Sequence, residues 1–369
     1  MARSIIKAEQ EIRKNLNAYE GDKYMSKGNG YEKPLTLTDI AKQSGVSVST
    51  VSRVINGSDL IGKKTTEKVQ KIIAKTNYIP NDIARGLKKK ASGTIALTIP
   101  DILNPFYAEL IQGIEEVINS YGYSLILCNS NMNFDKEMQF IHQMVEKRAE
   151  GIIFLSTHIS NPDIILKLRE KLGIVAIQTD IDGVDCVDAA NYAGIEEAIQ
   201  YLIDLGHRKI GFITSSLELR GNNSRYNAYK DTLLKNGIAF KDEYVTIGKY
   251  QLNEGYLMTK KLLELPDPPT AIQANNDNFA FGSILAIMER NLKIPEDISI
   301  IGFDNIKMAE ISNPPLTTVS QPIYEMGCEA AELLIQNIAH GPKKINKKVV
   351  LPTKLVVRGS TAPPKALKF

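Results

Sequence analysis

The sequence predicts a small all-α head followed by an α/β body of two doubly wound parallel-sheet lobes. Three observations carry that prediction. From Leu35 to about Tyr78 the apolar residues recur at helical spacing. From Gly93 the texture changes to alternating strand and helix, and after Asn191 that alternation starts again. Charge divides at the same boundary: residues 1–92 hold 18 Lys+Arg against 9 Asp+Glu, and the remainder 27 against 33. A basic head on an acidic body points the head at a polyanion.

The wider bounds agree. A chain of 369 residues is long enough for two or three domains with proper cores. No apolar run approaches the roughly 20 residues of a membrane span. MARSIIKAEQEIRKN has scattered charge and no apolar h-region, so it does not read as a secretory signal. Cys128, Cys186 and Cys328 are isolated from one another, which suits a reducing cytoplasm rather than a disulfide framework. Residues 1–34 read as a disordered extension by composition, with Met25 an alternative start.

Within the head, Thr36 and Asp39 have the spacing of a capping box ahead of a short helix with Ile40 and Ala41 on its apolar face. Gly45 supplies the left-handed turn that ends it. Ser47 stands at the next N-cap position. Val51, Val54 and Ile55 then mark the buried face of a second helix, which leaves Val48, Ser49, Ser52 and Arg53 outward. Those are small side chains and one guanidinium, with no base or nucleophile that has a partner. Helix, glycine turn and second helix make the helix-turn-helix pattern, whose second helix enters the major groove. A third helix, KTTEKVQKIIAKTNY, offers Val69, Ile72 and Ile73 to cover the pair. In YIPNDIARGLKKK, Pro80 and Asn81 read as a helix start. Ala84 and Leu87 are exposed apolar residues of a basic helix too short to be stable alone.

Residues 35–90 resemble the DNA-binding head of the lactose/galactose repressor family, on the core TDIAKQSGVSVSTVSRVIN and the hinge YIPNDIARGLK. The resemblance implies a homodimer on double-stranded operator DNA. Its recognition helix would bring Ser47, Val48, Ser49, Thr50, Ser52, Arg53 and Asn56 to the duplex, with Thr36 and Thr65 alongside. Paired hinge helices would place Asn81, Ala84, Leu87 and Lys88 in the minor groove, Leu87 wedging between base steps. The chain departs from the family at Gly62-Lys63-Lys64-Thr65-Thr66, where a cap and a terminal arginine are usual. Lys63, Lys64 and Thr65 are the replacements at hand.

The body reads as strands TIALTIP, YSLILCNS, GIIFLS and IVAIQT with helices between them. GHRKIGFIT, YVTIG, AIQAN and ISIIGFD follow in the second run. These strands divide the chain into a head at 35–80, a hinge at 81–92, a body at 93–362 and a tail at 363–369. Lobe one would take about 93–190 and 318–341, and lobe two about 191–317 and 342–362. No phosphate-binding glycine loop, nucleophile elbow or metal-ligand cluster appears, so neither catalysis nor a metal or cofactor is called for. His142, His158, His207 and His340 are scattered, and His207 reads as a turn residue before a strand.

IPDILNPFYAELIQGIEE, LGHRKIGFI, NNDNFAFG, IPEDISIIGFDN and PPLTTVSQP make the body similar to the periplasmic-binding-protein-like sensing domain of the same family. The resemblance implies a small-molecule effector, read as a sugar, bound between the lobes. Arg225 matches the arginine that grips effector oxygens, and Asp277, with Asn276 beside it, the carboxylate that accepts effector hydroxyls. Asp180 and Asp304 stand at two further strand ends. Asn104, Phe106, Tyr107, Asn191 and Tyr250 complete the expected set of amides and aromatic faces. An arginine follows the Asp180 position in ribose-binding relatives; here it is Ile181. Two other readings stay open: a purine-responsive repressor, and a catabolite-control type whose corepressor is a phosphorylated carrier protein. A plain sugar receptor leaves the head unexplained, and an enzyme lacks a reactive constellation. The sequence reads as an effector-controlled, DNA-binding transcription repressor.

Overall fold

A computed structural model describes residues 35–55, 57–76, 78, 92–155, 162–249, 253–341 and 346–365. The chain divides into two units, residues 1–82 and 83–369.

The head consists of α1 (Leu37–Ser44), α2 (Val48–Ile55) and α3 (Lys63–Thr76). Both halves of the expected capping box form. The Thr36 amide donates to Asp39 Oδ2 at 2.8 Å, and the Asp39 amide to Thr36 Oγ1 at 3.3 Å. Gly45 has φ 64°, a conformation that costs a Cβ-bearing residue, and its N–H closes α1 onto the Ala41 and Lys42 carbonyls. Ser47 Oγ accepts the Thr50 amide at 3.1 Å, so α2 is capped as its sequence predicts. Ile40, Ala41, Val51, Val54, Val69 and Tyr78 form one core. With so few buried side chains, the caps and the glycine turn matter to the stability of the head.

The body carries two six-stranded sheets. The first runs in the order β11 (Lys348–Leu351), β5 (Asp185–Ala189), β4 (Gly173–Ile177), β3 (Gly151–Phe154), β1 (Thr94–Ile99), β2 (Ser124–Asn129), all parallel. The second runs β12 (Lys354–Val356), β10 (Thr317–Ser320), β9 (Ser299–Asp304), β8 (Ala271–Ala274), β6 (Ile210–Thr214), β7 (Val245–Ile247). Its edge strand β12 is antiparallel to β10. The central strands are buried along nearly their whole length, as parallel strands covered on both faces must be. In the first lobe α4 (Pro105–Ser120) packs against α12 (Ile323–His340), and in the second α9 (Glu254–Leu263) against α10 (Asp277–Glu289).

The lobe boundaries differ from those expected. Residues 318–320 belong to β10, which continues the ladder of the second lobe beside β9 (Thr318 opposite Gly302). Residues 348–351 form β11, which pairs with β5 at the edge of the first lobe. The chain therefore changes lobe near residues 190, 321 and 352. Strands this short, pairing only with distant segments, have no signature in their own residues. Among the described residues no helix is long and apolar enough to cross a membrane.

Candidate functional site

The head presents one helix face outward. Val48 (42 % exposed), Ser49 and Arg53 stand clear of the core, Ser52 is half-buried, and Val51 and Val54 anchor the opposite side. The hydroxyls at the start of α2 are organised: Ser47 Oγ lies 2.8 Å from both Ser49 Oγ and Thr50 Oγ1. On α3, Lys64, Lys68, Lys71 and Lys75 are all exposed and share one face at i, i+4, i+7 and i+11. Such a row suits a line of phosphates. Thr65 is half-buried on the first turn of α3.

The body encloses a cleft of about 550 Å³ between its lobes, at the carboxyl ends of the strands. Phe106 and Tyr107, from the start of α4, form an edge-to-face pair with centroids 5.2 Å apart and line the first-lobe wall. Arg225, on α8 (Arg220–Lys235), enters from the second lobe and is only 6 % exposed. Its guanidinium lies over the Phe303 ring at 3.6 Å; Nε donates to Asn191 Oδ1 at 2.7 Å and Nη1 to the Asn275 carbonyl. Asn191 is held in turn by Asp188 Oδ1 at 2.9 Å. The fork is thus locked before any ligand arrives.

Asp304 closes β9 with φ 117° and lines the cleft. Gln321 donates to its Oδ1 at 2.6 Å. Burial pushes its carboxyl up to about 7, opposed by the Arg225 charge and the Gln321 hydrogen bond. Asp277 lies behind it, fully buried. Thr318 Oγ1 donates to Asp277 Oδ1 at 2.6 Å and the Ile306 amide to Oδ2 at 2.9 Å. Burial, then the Asp304 charge, raises the Asp277 carboxyl well above the usual range. A Cβ at Gly302 would stand 2.1 Å from Asp277 Oδ1, so a glycine is required there. Asn276 caps α10, accepting the Phe279 amide at 2.8 Å, and lines the cleft. Asn275 donates to Asn222 Oδ1 at 2.7 Å, while its own Oδ1 is buried with no partner.

The arrangement meets its counterparts in known proteins. Residues 36–81 match the family model of bacterial regulatory proteins, lacI family, and residues 199–361 that of a periplasmic binding protein-like domain. Catabolite control protein A of Priestia megaterium is 36 % identical over 332 residues, covering 89 % of this chain and 99 % of its own length. The chain belongs to the lacI family of bacterial regulatory proteins. Among solved structures, the lac repressor dimer bound to operator and the anti-inducer ONPF aligns with a TM-score of 0.80 and 26 % identity over 89 % of this chain and all of that one. A family regulator from Enterococcus faecium with bound ribose aligns at TM-score 0.67 and 30 % identity over 74 % of this chain and all of its own. Members of the lacI family are transcription regulators rather than enzymes, and this chain is a DNA-binding transcription regulator.

In this lacI-family regulator the cleft brings together Phe106, Tyr107, Asp180, Arg225, Asn276 and Asp304 of the expected set. Three others have different work. Asp277 was expected to accept effector hydroxyls. It lies instead beneath the cleft floor, because the first turn of α10 aims it at β9 and β10, where it ties Thr318 to Ile306. Of these two acids, Asp304 is the one that reaches the cleft. Asn191 stands behind Arg225, and Asn104 caps α4 through the Phe106 amide at 3.1 Å. Asn56, Asn81, Ala84, Leu87, Lys88 and Tyr250 lie outside the described residues. Sequence reasoning missed Asn222, Asn275 and Gln321. Asn222 sits one turn before Arg225, a same-face spacing that could have flagged it; Gln321 follows a strand that was not read. His207 is buried between Thr270 Oγ1 (2.8 Å) and the Ala362 carbonyl (2.9 Å), which pins the turn before β6.

Proposed function

We propose that this regulator is a homodimeric repressor whose operator affinity is set by a neutral sugar held between the lobes. The carrying observation is the polar set deep in the cleft: the Asp304 carboxylate, the oriented Arg225 guanidinium, the amides of Asn222, Asn275, Asn276 and Gln321, and an aromatic pair, with Asp180 and Arg220 nearer the mouth. Paired donors and acceptors suit vicinal hydroxyls, and the rings of Phe106 and Tyr107 suit the apolar face of a pyranose or furanose. The size of the cleft, about 550 Å³, suits a ligand of one or two rings. The ribose-bound Enterococcus faecium relative and the operator-bound lac repressor dimer support the ligand class and the assembly.

On the head, Val48, Ser49 and Arg53 read base edges, and the lysines of α3 contact phosphates. Ser47, Thr50, Ser52 and Thr36 shape and support that face. Isothermal calorimetry against D-ribose, other neutral monosaccharides, sugar phosphates and purines tests the effector class. The expected result is heat of binding from a neutral sugar. Binding confined to purines or sugar phosphates would replace this reading.

A further inference from the structure

We propose that Asp180 and Arg220 form an electrostatic latch across the mouth of the cleft, with Lys348 as its anchor in the first lobe. The proposal rests on the cleft being the effector site, but it requires no particular effector. Asp180 lies in the segment between β4 and β5 of the first lobe, and Arg220 is the first residue of α8 in the second; both line the cleft. An Arg220 guanidinium nitrogen is ion-paired with Asp180 Oδ2, and Lys348 Nζ from β11 reaches the same oxygen at 2.9 Å. One carboxylate oxygen therefore takes two cations from opposite lobes. Other ion pairs, such as Lys209–Asp267 and Lys347–Glu329, join residues of a single lobe.

Arg220 is poorly placed for its own helix. A cation in the first turn opposes the helix dipole, and that turn of α8 has neither an acidic residue nor a side-chain cap. Its placement makes sense through Asp180. A second line crosses deeper in the cleft: Gln178 Nε2 donates to Gln321 Oε1 at 3.2 Å, and Gln321 donates on to Asp304. The mouth is thus joined by charge and the floor by amides. All three charged side chains of the latch are partly exposed, at 41 % for Arg220, 33 % for Asp180 and 38 % for Lys348. Ion pairs of this kind add little to folding. They are nonetheless large enough to bias a marginal open–closed equilibrium, because the pair exists only in the closed state.

The shared oxygen predicts an asymmetry. Asp180→Asn leaves Arg220 and Lys348 facing each other without a carboxylate, so it opens the cleft most. Arg220→Gln keeps Asp180 on Lys348 and opens it less. Arg220→Lys retains the charge. Hydrogen exchange of the full chain at low salt, with no effector, reads these states in the amides of residues 178–184 and 218–224. The expected exchange is roughly two- to five-fold faster in Arg220→Gln, faster still in Asp180→Asn, and close to wild type in Arg220→Lys. Raising salt to about 0.5 M moves the wild type toward Arg220→Gln, and the thermal midpoints stay together. Wild-type exchange in Arg220→Gln overturns the latch. So does an Arg220→Lys variant as fast as Arg220→Gln, or acceleration spread through both lobes with a lowered midpoint. None of these readings depends on which molecule the cleft binds.

Discussion

The head and the body solve opposite problems of recognition. The face of the head that we propose reads DNA is made of side chains that stand in solvent, such as Val48, Ser49 and Arg53. In the body, Arg225, Asn275, Asn276 and Asp304 are buried and already hydrogen-bonded to neighbours. A duplex brings its own surface, so the head needs only to fit against it. The small ligand that we propose must be surrounded, and these candidate partners are already assembled and desolvated without it. The outward residues of the head, Val48, Ser49 and Arg53, are therefore expected to carry binding without stability. Cleft residues are expected to carry both.

The largest expected effect lies just beneath the cleft floor, in the packing that supports the cleft residues. Asp277→Ala strips the Thr318 hydroxyl and the Ile306 amide of their acceptor, and is expected to destabilise the body by about 3 kcal/mol. Urea unfolding checks it; a midpoint within error of wild type would mean that burial does not couple site to fold here. Next is Arg53→Ala, expected to weaken operator binding by about 1–3 kcal/mol and relax one position per half-site. Its thermal midpoint should be unchanged. Fluorescence anisotropy on matched and mismatched duplexes would detect both parts, and a loss of stability would blur the contrast between head and body.

A subtler effect concerns pH. Asp304 titrates near 7 in the fold, against about 3.9 in an unfolded chain. Between those values the native state binds more protons than the unfolded one. Stability from this group is therefore present at low pH, falls as pH rises from about 4 to about 7, and levels off above. Asp304→Asn should flatten that slope, as pH-dependent unfolding would reveal. An unchanged slope would place the titration elsewhere. The smallest expected effect is in the head: Thr36→Ala removes one half of the capping box and should cost about 1 kcal/mol of helix stability. Operator specificity should not change.

The same contrast explains what could be read in advance. The head is built from neighbours in sequence: Thr36 with Asp39, the turn at Gly45, and the apolar spacing of Val51, Val54 and Ile55. Local rules found each of them. The two lobes were legible because strand and helix alternate along the chain. The cleft was only partly legible, since its geometry depends on pairing between distant segments. Asp277 and Asp304 look equivalent as acids at strand ends. Only the packing of α10 against β9 and β10 buries one and presents the other. Gln321 and the lobe changes near residues 321 and 352 depend on β10 and β11, which are defined by their partners rather than by their own composition.

The most direct test joins the two regions. Operator affinity of the wild-type chain and of Asp304→Asn would be measured by anisotropy, on a duplex selected from random sequence, with and without a panel of neutral monosaccharides. Asparagine keeps an acceptor for Gln321 but cannot supply the carboxylate that the proposed sugar would meet. The account predicts that one sugar shifts wild-type affinity by roughly 5–150-fold. It also predicts that Asp304→Asn binds the operator normally and ignores that sugar. A full sugar response in Asp304→Asn would contradict it.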